Sequence, residues 1–334
     1  MKNIVRTKAL SAGFRFSTLV ALAAGFALPL PAQTFKPARP IEFVVHTGPG
    51  GGNDVLARRI AIVTEQEKLL PVRLQVVNKP GGGSVTAMAY VAEKRGDPYT
   101  IAAFANTWVT APMTSAEAKV TSKELTPIVR LVTEPAVIAV KMDSPYKTLK
   151  DFTDAARKNP GKLKQSGGSP MSRDGVVRAM LQKASGAQWA FISFPGGGER
   201  IAALLGGHVE LMIVEPQEAG EHIRNGNMRV IAQVSEHRLK AYPDVPTVRE
   251  AGFDIPYYAV FRGIVGPPAM PREAIAYYED YFARLVKTAA WKKYLDDNFF
   301  DEAFQRSGEF AKFIDEFTER VRPILTDAGV KVYR

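Results

Sequence analysis

Residues 41–58 read IEFVVHTGPGGGNDVLAR, and this stretch decides the fold. Ile41–His46 is a short apolar run, the signature of a buried strand. Gly48-Pro49-Gly50-Gly51-Gly52 then turns the chain, and the spacing of Leu56, Ile60 and Val63 predicts a helix over Asp54–Lys68. A strand that passes through a glycine turn into a helix N-terminus gathers free backbone N–H groups at the positive end of the helix dipole, which makes a cradle for an anion. Glycine lets the backbone take positive φ and come close to a ligand. Asn53 or Asp54 is placed to cap the helix. The alternative is a tight turn that holds nothing. Neither common nucleotide loop fits: Asn53 stands where GxGxxG needs its third glycine, and there is no GK[ST].

The segment upstream bears on where such an anion is met. Residues 1–32 read as a secretory signal peptide. Lys2, Arg6, Lys8 and Arg15 form a basic start, Phe16–Leu28 is apolar, and Pro29-Leu30-Pro31-Ala32 offers a cleavage site. The apolar run is too short to span a bilayer before proline breaks it. Cleavage near residue 32 leaves about 300 residues, enough for two domains with a sizeable core. The chain has no cysteine, so disulfides, lipidation on cysteine and thiolate metal sites are excluded. The formal charge is +10, and +6 once the four signal-peptide cations are removed. These cations are scattered, which argues against nucleic acid as a partner. A mild positive field would help steer small anions.

Downstream, apolar runs alternate with helical stretches. Strands are expected at Val72–Val77, Tyr99–Phe104, Ala136–Val140, Ala190–Phe194, Val209–Val214 and Met228–Val234. Helices are expected at Ser84–Arg95, Leu149–Lys158, Asp174–Ala184, Glu199–Leu205, Arg272–Val286, Ala289–Asn298 and Glu309–Ala328. This alternation predicts an α/β protein with mostly parallel sheets. Glycine-rich loops fall at 48–52, 81–83, 166–168 and 196–198, after strands, where open sheets bind ligands. Their spread over two sections of chain predicts a ligand held between two lobes.

Several polar residues sit beside these loops. Ser166-Gly167-Gly168-Ser169-Pro170-Met171-Ser172 brings hydroxyls and N–H groups to a helix N-terminus and suits a carboxylate, the alternative being capping by Ser172. Phe194-Pro195-Gly196-Gly197-Gly198 repeats the arrangement, with Glu199 as a solvated first-turn residue. Glu215 follows a strand and either faces the cleft, where it could take an ammonium or hydroxyl of the ligand, or faces solvent. Arg262 reads first as a surface arginine and second as a counter-ion. His46 ends the first strand, as a structural histidine or a ligand contact. The four histidines form no metal-binding pair, and GxSxG is absent, so no metal, cofactor or serine nucleophile is expected.

Taken in order, these residues resemble the Bug-type periplasmic solute-binding proteins, the receptors of tripartite tricarboxylate transporters. The resemblance runs through Arg39-Pro40-Ile41, Pro49–Asp54 with Ala57-Arg58, Val77–Gly83, Ser144-Pro145 with Leu149 and Phe152, Ser166–Ser169, Phe194–Gly198 and Gly206-Gly207-His208-Val209-Glu210. Tyr242-Pro243-Asp244-Val245-Pro246-Thr247 with Glu250 and Gly252 is the most specific stretch. The chain departs from the family at Arg173-Asp174, where histidine is frequent, at Phe194, where tyrosine is usual, and at Glu210, where aspartate is usual.

The resemblance implies a two-lobed type II periplasmic binding protein fold with the ligand cleft between the lobes. Residues 33–132 and 256–334 would form the first lobe and 133–255 the second. It implies a small carboxylate, either a di- or tricarboxylate or an aromatic carboxylate, held by Gly50, Gly51, Gly52, Asn53, Asp54, Asn106 and Thr107 from the first lobe. Ser169, Ser172 and Gly197 would hold it from the second, with Glu215 added from the reading above. It further implies a monomeric, non-enzymatic periplasmic receptor that serves the large and small membrane subunits of a transporter. On this reading Asn53→Ala or Gly51→Val weakens binding without unfolding the protein. The rivals are an exported α/β hydrolase and a receptor for a sensor kinase.

Overall fold

The computed structural model describes residues 35–168, 170–194, 197–327 and 329–333. The expected signal peptide, Ser169 and the Pro195-Gly196 pair lie outside them. Two sheets organise the described chain. The first has strand order β11-β4-β10-β3-β1-β2, from β1 Ile41–Val45, β2 Leu74–Asn78, β3 Thr100–Ala105, β4 Thr126–Glu134, β10 Val260–Gly266 and β11 Asp301–Arg306. The second has order β7-β6-β8-β5-β9, from β5 Ala136–Lys141, β6 Lys164–Gly167, β7 Ala190–Ser193, β8 Leu211–Val214 and β9 Met228–Val234.

Each sheet contains a parallel trio whose strands each lead into a helix. In the first, β1, β2 and β3 lead to α1 Gly52–Gln66, α2 Val85–Glu93 and α3 Thr107–Thr114. In the second, β6, β7 and β8 lead to α5 Arg173–Ser185, α6 Gly197–Leu205 and α7 Pro216–Arg224. Glycine loops of the sequence fall at the turns after β1, β2 and β6, and the loop at 196–198 leads into α6, with its Gly196 outside the described residues. The other two carry Asn106 and Glu215. Parallel order brings the carboxyl ends of each trio to one edge, where ligands of open α/β sheets bind.

The sheets are not mostly parallel as expected. β10 runs antiparallel to β3 and β4, β11 to β4, and β5 to β8 and β9. The reason lies in the crossings. The chain passes from β4 to β5 with Pro135 alone between them, and back from β9 to β10 through residues 235–259. The entering strands β5 and β10 lie reversed against the trios, without the helical crossover that parallel neighbours need, and β9 and β4 pair antiparallel with them.

The long return crossing is pinned by Gln233, a fully buried residue of β9. Its side-chain amide donates to the carbonyls of Tyr242 and Val245, at 2.9 and 2.5 Å, and its Oε1 accepts from the Leu239 amide at 2.8 Å. Thr247 and Glu250 close the next turn reciprocally, with Thr247 N to Glu250 Oε2 at 2.8 Å and Glu250 N to Thr247 Oγ1 at 3.2 Å. The stretch that carries the resemblance most specifically is thus the one held on the crossing by buried Gln233.

Helix faces follow the pattern in the sequence. α4 Leu149–Lys158 buries Leu149, Phe152, Thr153 and Ala156, and opens on a capping box between Thr148 and Asp151. One apolar cluster joins a face of each sheet: Phe104, Trp108 and Phe261 from the first meet Ile138, Phe152 and Trp189 from the second. α10 Ser307–Asp327 contributes Phe310, Phe317, Val321 and Leu325 to the same cluster. The outer faces of the sheets carry their own clusters.

Candidate functional site

The first turn departs from the expected capping. α1 starts at Gly52, and its N-cap is Gly51, which has no side chain to offer. The Thr47 hydroxyl instead accepts from the Asp54 amide at 3.2 Å. Asp54 is buried inside the first helical turn. Its carboxylate accepts from the Gly50 amide at 2.9 Å and from Arg58 and Asn78. Burial pushes its pKa up, but the bonds from Arg58, Gly50 and Asn78 outweigh that and hold it below the ordinary carboxylate value. The loop therefore carries its own anion. Gly51 N donates to Gly48 O, which leaves the amides of Gly52 and Asn53 as the helix-start donors with no acceptor among the described residues.

Close approach explains two of the glycines. A Cβ on Gly51 would come 2.6 Å from Thr47 Cβ, and one on Gly52 would come 2.6 Å from Arg262 Nη2. Arg262 is thus not a surface arginine. It is buried, packs on the glycine turn and forms a two-pronged pair with Glu134, Nε to Oε1 and Nη2 to Oε2, both 2.7 Å. Its Nη1 donates to Asn53 Oδ1. Asn53 is fully buried, and its Nδ2 donates to Ala103 O at 3.0 Å and to His46 Nδ1 at 2.9 Å. Asn53 is therefore neither the cap nor a free side chain. It ties together β1, β3 and β10.

His46 continues this network. Trp108 Nε1 also donates to its Nδ1, at 2.9 Å, so Nδ1 is the acceptor and Nε2 carries the proton. The Nε2–H faces Thr107 Oγ1 at 3.2 Å. Burial, then the nearby Arg262 charge, lowers the His46 pKa to about 3, so the ring is neutral. Asn106 reaches away from the turn: its Nδ2 donates to Ala259 O at 2.7 Å and its Oδ1 accepts from the Phe261 amide at 2.8 Å. The structure thus brings Asn53, Thr107 and the glycine turn together through His46, while Asn106 secures β10.

The second trio repeats the theme with ion pairs. Ser172 is the N-cap of α5 by backbone position, without a side-chain cap bond. Asp174 in the first turn is buried and accepts from Arg200 Nη1 at 2.8 Å, from Arg173 Nη2 at 3.1 Å and from the Gly168 amide at 3.4 Å. Glu215, at the end of β8, faces inward with its side chain 15% exposed, and its Oε1 lies 3.1 Å from Arg173 Nη2. Arg200 Nη2 also binds Glu218 Oε2 at 2.9 Å, and that same oxygen is 2.7 Å from where a Cβ on Gly197 would stand. Glu199 is exposed, as expected.

The two networks sense each other. Burial raises the Glu215 pKa, but Arg173 and Arg200, and Arg262 from the first sheet, bring it below the ordinary value. Arg173 is pulled down by burial and more than restored by Glu215 and Asp174, with Glu134 of the first sheet adding to them. Glu218 is raised to about 7, by burial and then by the neighbouring Glu215 charge. Glu134, Arg200 and Glu218 carry no signal in the sequence, because their partners stand far along the chain. Arg173-Asp174 was visible as a departure from the family pattern and not as a buried pair.

A cavity of about 920 Å³ opens elsewhere, beside Arg130, Tyr257, Phe299 and Arg320, and touches none of the glycine turns.

Comparison with known proteins agrees with this architecture. Residues 57–330 match the family described as tripartite tricarboxylate transporter family receptor. A UPF0065 protein of Cupriavidus necator is 28% identical over 305 residues, covering 91% of this chain and 92% of its own. The protein BugT of Bordetella pertussis is 30% identical over 244 residues, covering 71% and 74%. A crystal structure of a TctC solute binding protein from Polaromonas superposes with a TM-score of 0.71 at 29% identity, covering 87% of this chain and 99% of that one.

Proposed function

The chain belongs to the receptor family of tripartite tricarboxylate transporters and has the two-lobed periplasmic binding protein fold, and from that premise we propose that it captures a small carboxylate between its two sheets and presents it to the large and small membrane subunits of such a transporter. The lobes would divide at the crossings, at Pro135 and within residues 235–259, close to the 132/133 and 255/256 boundaries expected from sequence. The chain would act as an exported monomer and break no bond.

One observation carries the reading. Two strand-to-helix edges, on separate sheets joined by two crossings, both gather amides and buried guanidinium groups where α/β sheets take ligands. A carboxylate on the Gly52 and Asn53 amides, with Thr107 beside it, would meet the second edge through Ser172, Gly197 and Glu215, and Ser169 would add a hydroxyl. Ligand would shift the population from open to closed by touching both halves at once.

The test is thermal unfolding of protein refolded free of carried-over ligand, against carboxylates and their methyl esters. Ligand that binds only the native state raises the melting temperature with dose. A rise with a carboxylate that is lost on esterification is expected. A rise with esters or neutral compounds alone would overturn the reading.

A further inference from the structure

Four buried side-chain polar atoms without hydrogen-bond partners lie where the second trio ends. Buried donors and acceptors are nearly always satisfied, so a cluster of exceptions marks a place built for something else. Among the described residues Ser166 Oγ on β6, Arg173 Nε and Nη1 at the start of α5, and Glu215 Oε2 after β8 lack a hydrogen-bond partner, with Arg200 Nη2 4.0 Å from Glu215 Oε2. The Arg173 side chain is 2% exposed. Its Nη2 alone serves both Asp174 and Glu215, so the three N–H bonds on Nε and Nη1 are unspent. The three residues sit on the carboxyl ends of the adjacent parallel strands β6 and β8 and on the helix that follows β6.

Their chemistry is mixed. Arg173 and Ser166 offer donors, and Glu215 offers an acceptor on an ionised carboxylate. A plain carboxylate would satisfy the guanidinium and leave the Glu215 oxygen facing a like charge, which costs binding. A carboxylate with a hydrogen-bond donor on the neighbouring carbon would satisfy both.

We propose that Arg173 and Glu215 form a specificity subsite that selects carboxylates carrying a donor group, ammonium or hydroxyl, at C2. Arg173 takes the carboxylate, Glu215 Oε2 takes the C2 donor, and Ser166 completes the carboxylate's bonds. This inference rests on the receptor reading above and goes further by naming the ligand's head group. The first-sheet turn then holds the molecule's second carboxylate.

The experiment is calorimetric titration of ligand-free refolded protein with three matched series of dicarboxylates: succinate, malate and aspartate; glutarate, 2-hydroxyglutarate and glutamate; adipate, 2-hydroxyadipate and 2-aminoadipate. Within the series that binds, the C2-substituted members are expected to bind about tenfold or more tightly than the unsubstituted one, the worth of one charge-assisted hydrogen bond. Glu215→Gln should abolish the preference for ammonium and spare much of that for hydroxyl, because an amide oxygen still accepts from a neutral donor. Arg173→Lys should weaken every member of the series about tenfold, through loss of the planar donor set. Circular dichroism of each variant checks folding, and the wild-type series stands without the variants. If the unsubstituted acid binds as well as its C2-substituted relatives, or if Glu215→Gln leaves the ammonium preference intact, the subsite is refuted while carboxylate capture stands. If esters bind and no free acid does, both readings fall together.

Discussion

His46 offers the sharpest quantitative test. Its ring is held neutral because Nδ1 accepts from both Asn53 and Trp108 and because a proton there would face burial and the Arg262 charge. In the unfolded chain the imidazole titrates at its ordinary 6.5, whereas in the folded chain it holds out to about 3. The folded pKa is depressed, so below 6.5 the unfolded state binds a proton that the native state refuses. Stability must therefore fall as pH drops through this window, at about 1.4 kcal/mol per pH unit from this one group. From about pH 6.5 to about pH 4 the loss comes to about 3 kcal/mol. Carboxylates lose their charge over part of the same range, so the comparison needs a variant. His46→Asn keeps an acceptor near Nδ1 and removes the titration. Urea unfolding at about pH 7, 6, 5 and 4 should show the wild-type advantage over His46→Asn shrinking by about 3 kcal/mol towards acid. A difference that stays flat within about 1 kcal/mol would refute the neutral, half-buried ring, as would an imidazole NMR midpoint near the ordinary value.

Other expectations follow from the same networks. Glu134→Gln leaves Arg262 buried without its counter-charge and should cost about 3–5 kcal/mol in chemical unfolding, whereas a drop under about 1 kcal/mol would mean the pair is solvated. Gly52→Ala drives a Cβ into Arg262 and Asn53→Ala removes three internal bonds, so both should lower the melting temperature in the absence of ligand, whereas the sequence alone predicts that Asn53→Ala weakens binding without unfolding the protein. An unchanged melting temperature with weakened binding would restore that expectation. Glu218 is raised to about 7, above its unfolded value, so it reduces stability as pH climbs from its unfolded pKa through about 7. With its side chain 38% exposed, solvent screens the effect to about 1–2 kcal/mol, and Glu218→Gln should flatten that decline in denaturant titrations between about pH 5 and pH 8.

What was legible in the sequence was what local pattern controls. Leu149–Lys158 and Ala289–Asn298 begin and end where their apolar spacing and flanking residues say. The glycine loops at 48–52, 81–83 and 166–168 lie at strand ends as expected. What escaped was set by distant partners. β10 reads VFRGIVG, and Gly263 looks like a breaker, but a Cβ there would collide with the Phe310 ring that packs against it. β11, DEAFQR, is polar because it is an edge strand, and charged edges discourage pairing with another chain. α3 contains Pro112 and several β-branched residues, and it is held by burial of Trp108, Val109 and Met113 rather than by propensity. In the site, Arg262 looked like a surface residue because its partners Glu134 and Asn53 lie 128 and 209 positions away. A buried ion pair leaves no periodicity behind. The Arg173-Asp174 departure was the one trace of the second network, and spacing alone could not say that both side chains turn inward.

The indole of Trp108 has a further consequence, an optical one. The chain has three tryptophans, and all are buried. Trp189 donates to Gln165 in the second sheet's core, and Trp291 lies in the outer layer of the first. Trp108 alone among them is wired, through His46 and Thr107, to the turn where a ligand would land. Indole emission depends on what the N–H bonds to and on charge nearby. A chain reduced to this single fluorophore would therefore carry its own dye at the mouth of the cleft, with no label to attach and no cysteine to introduce.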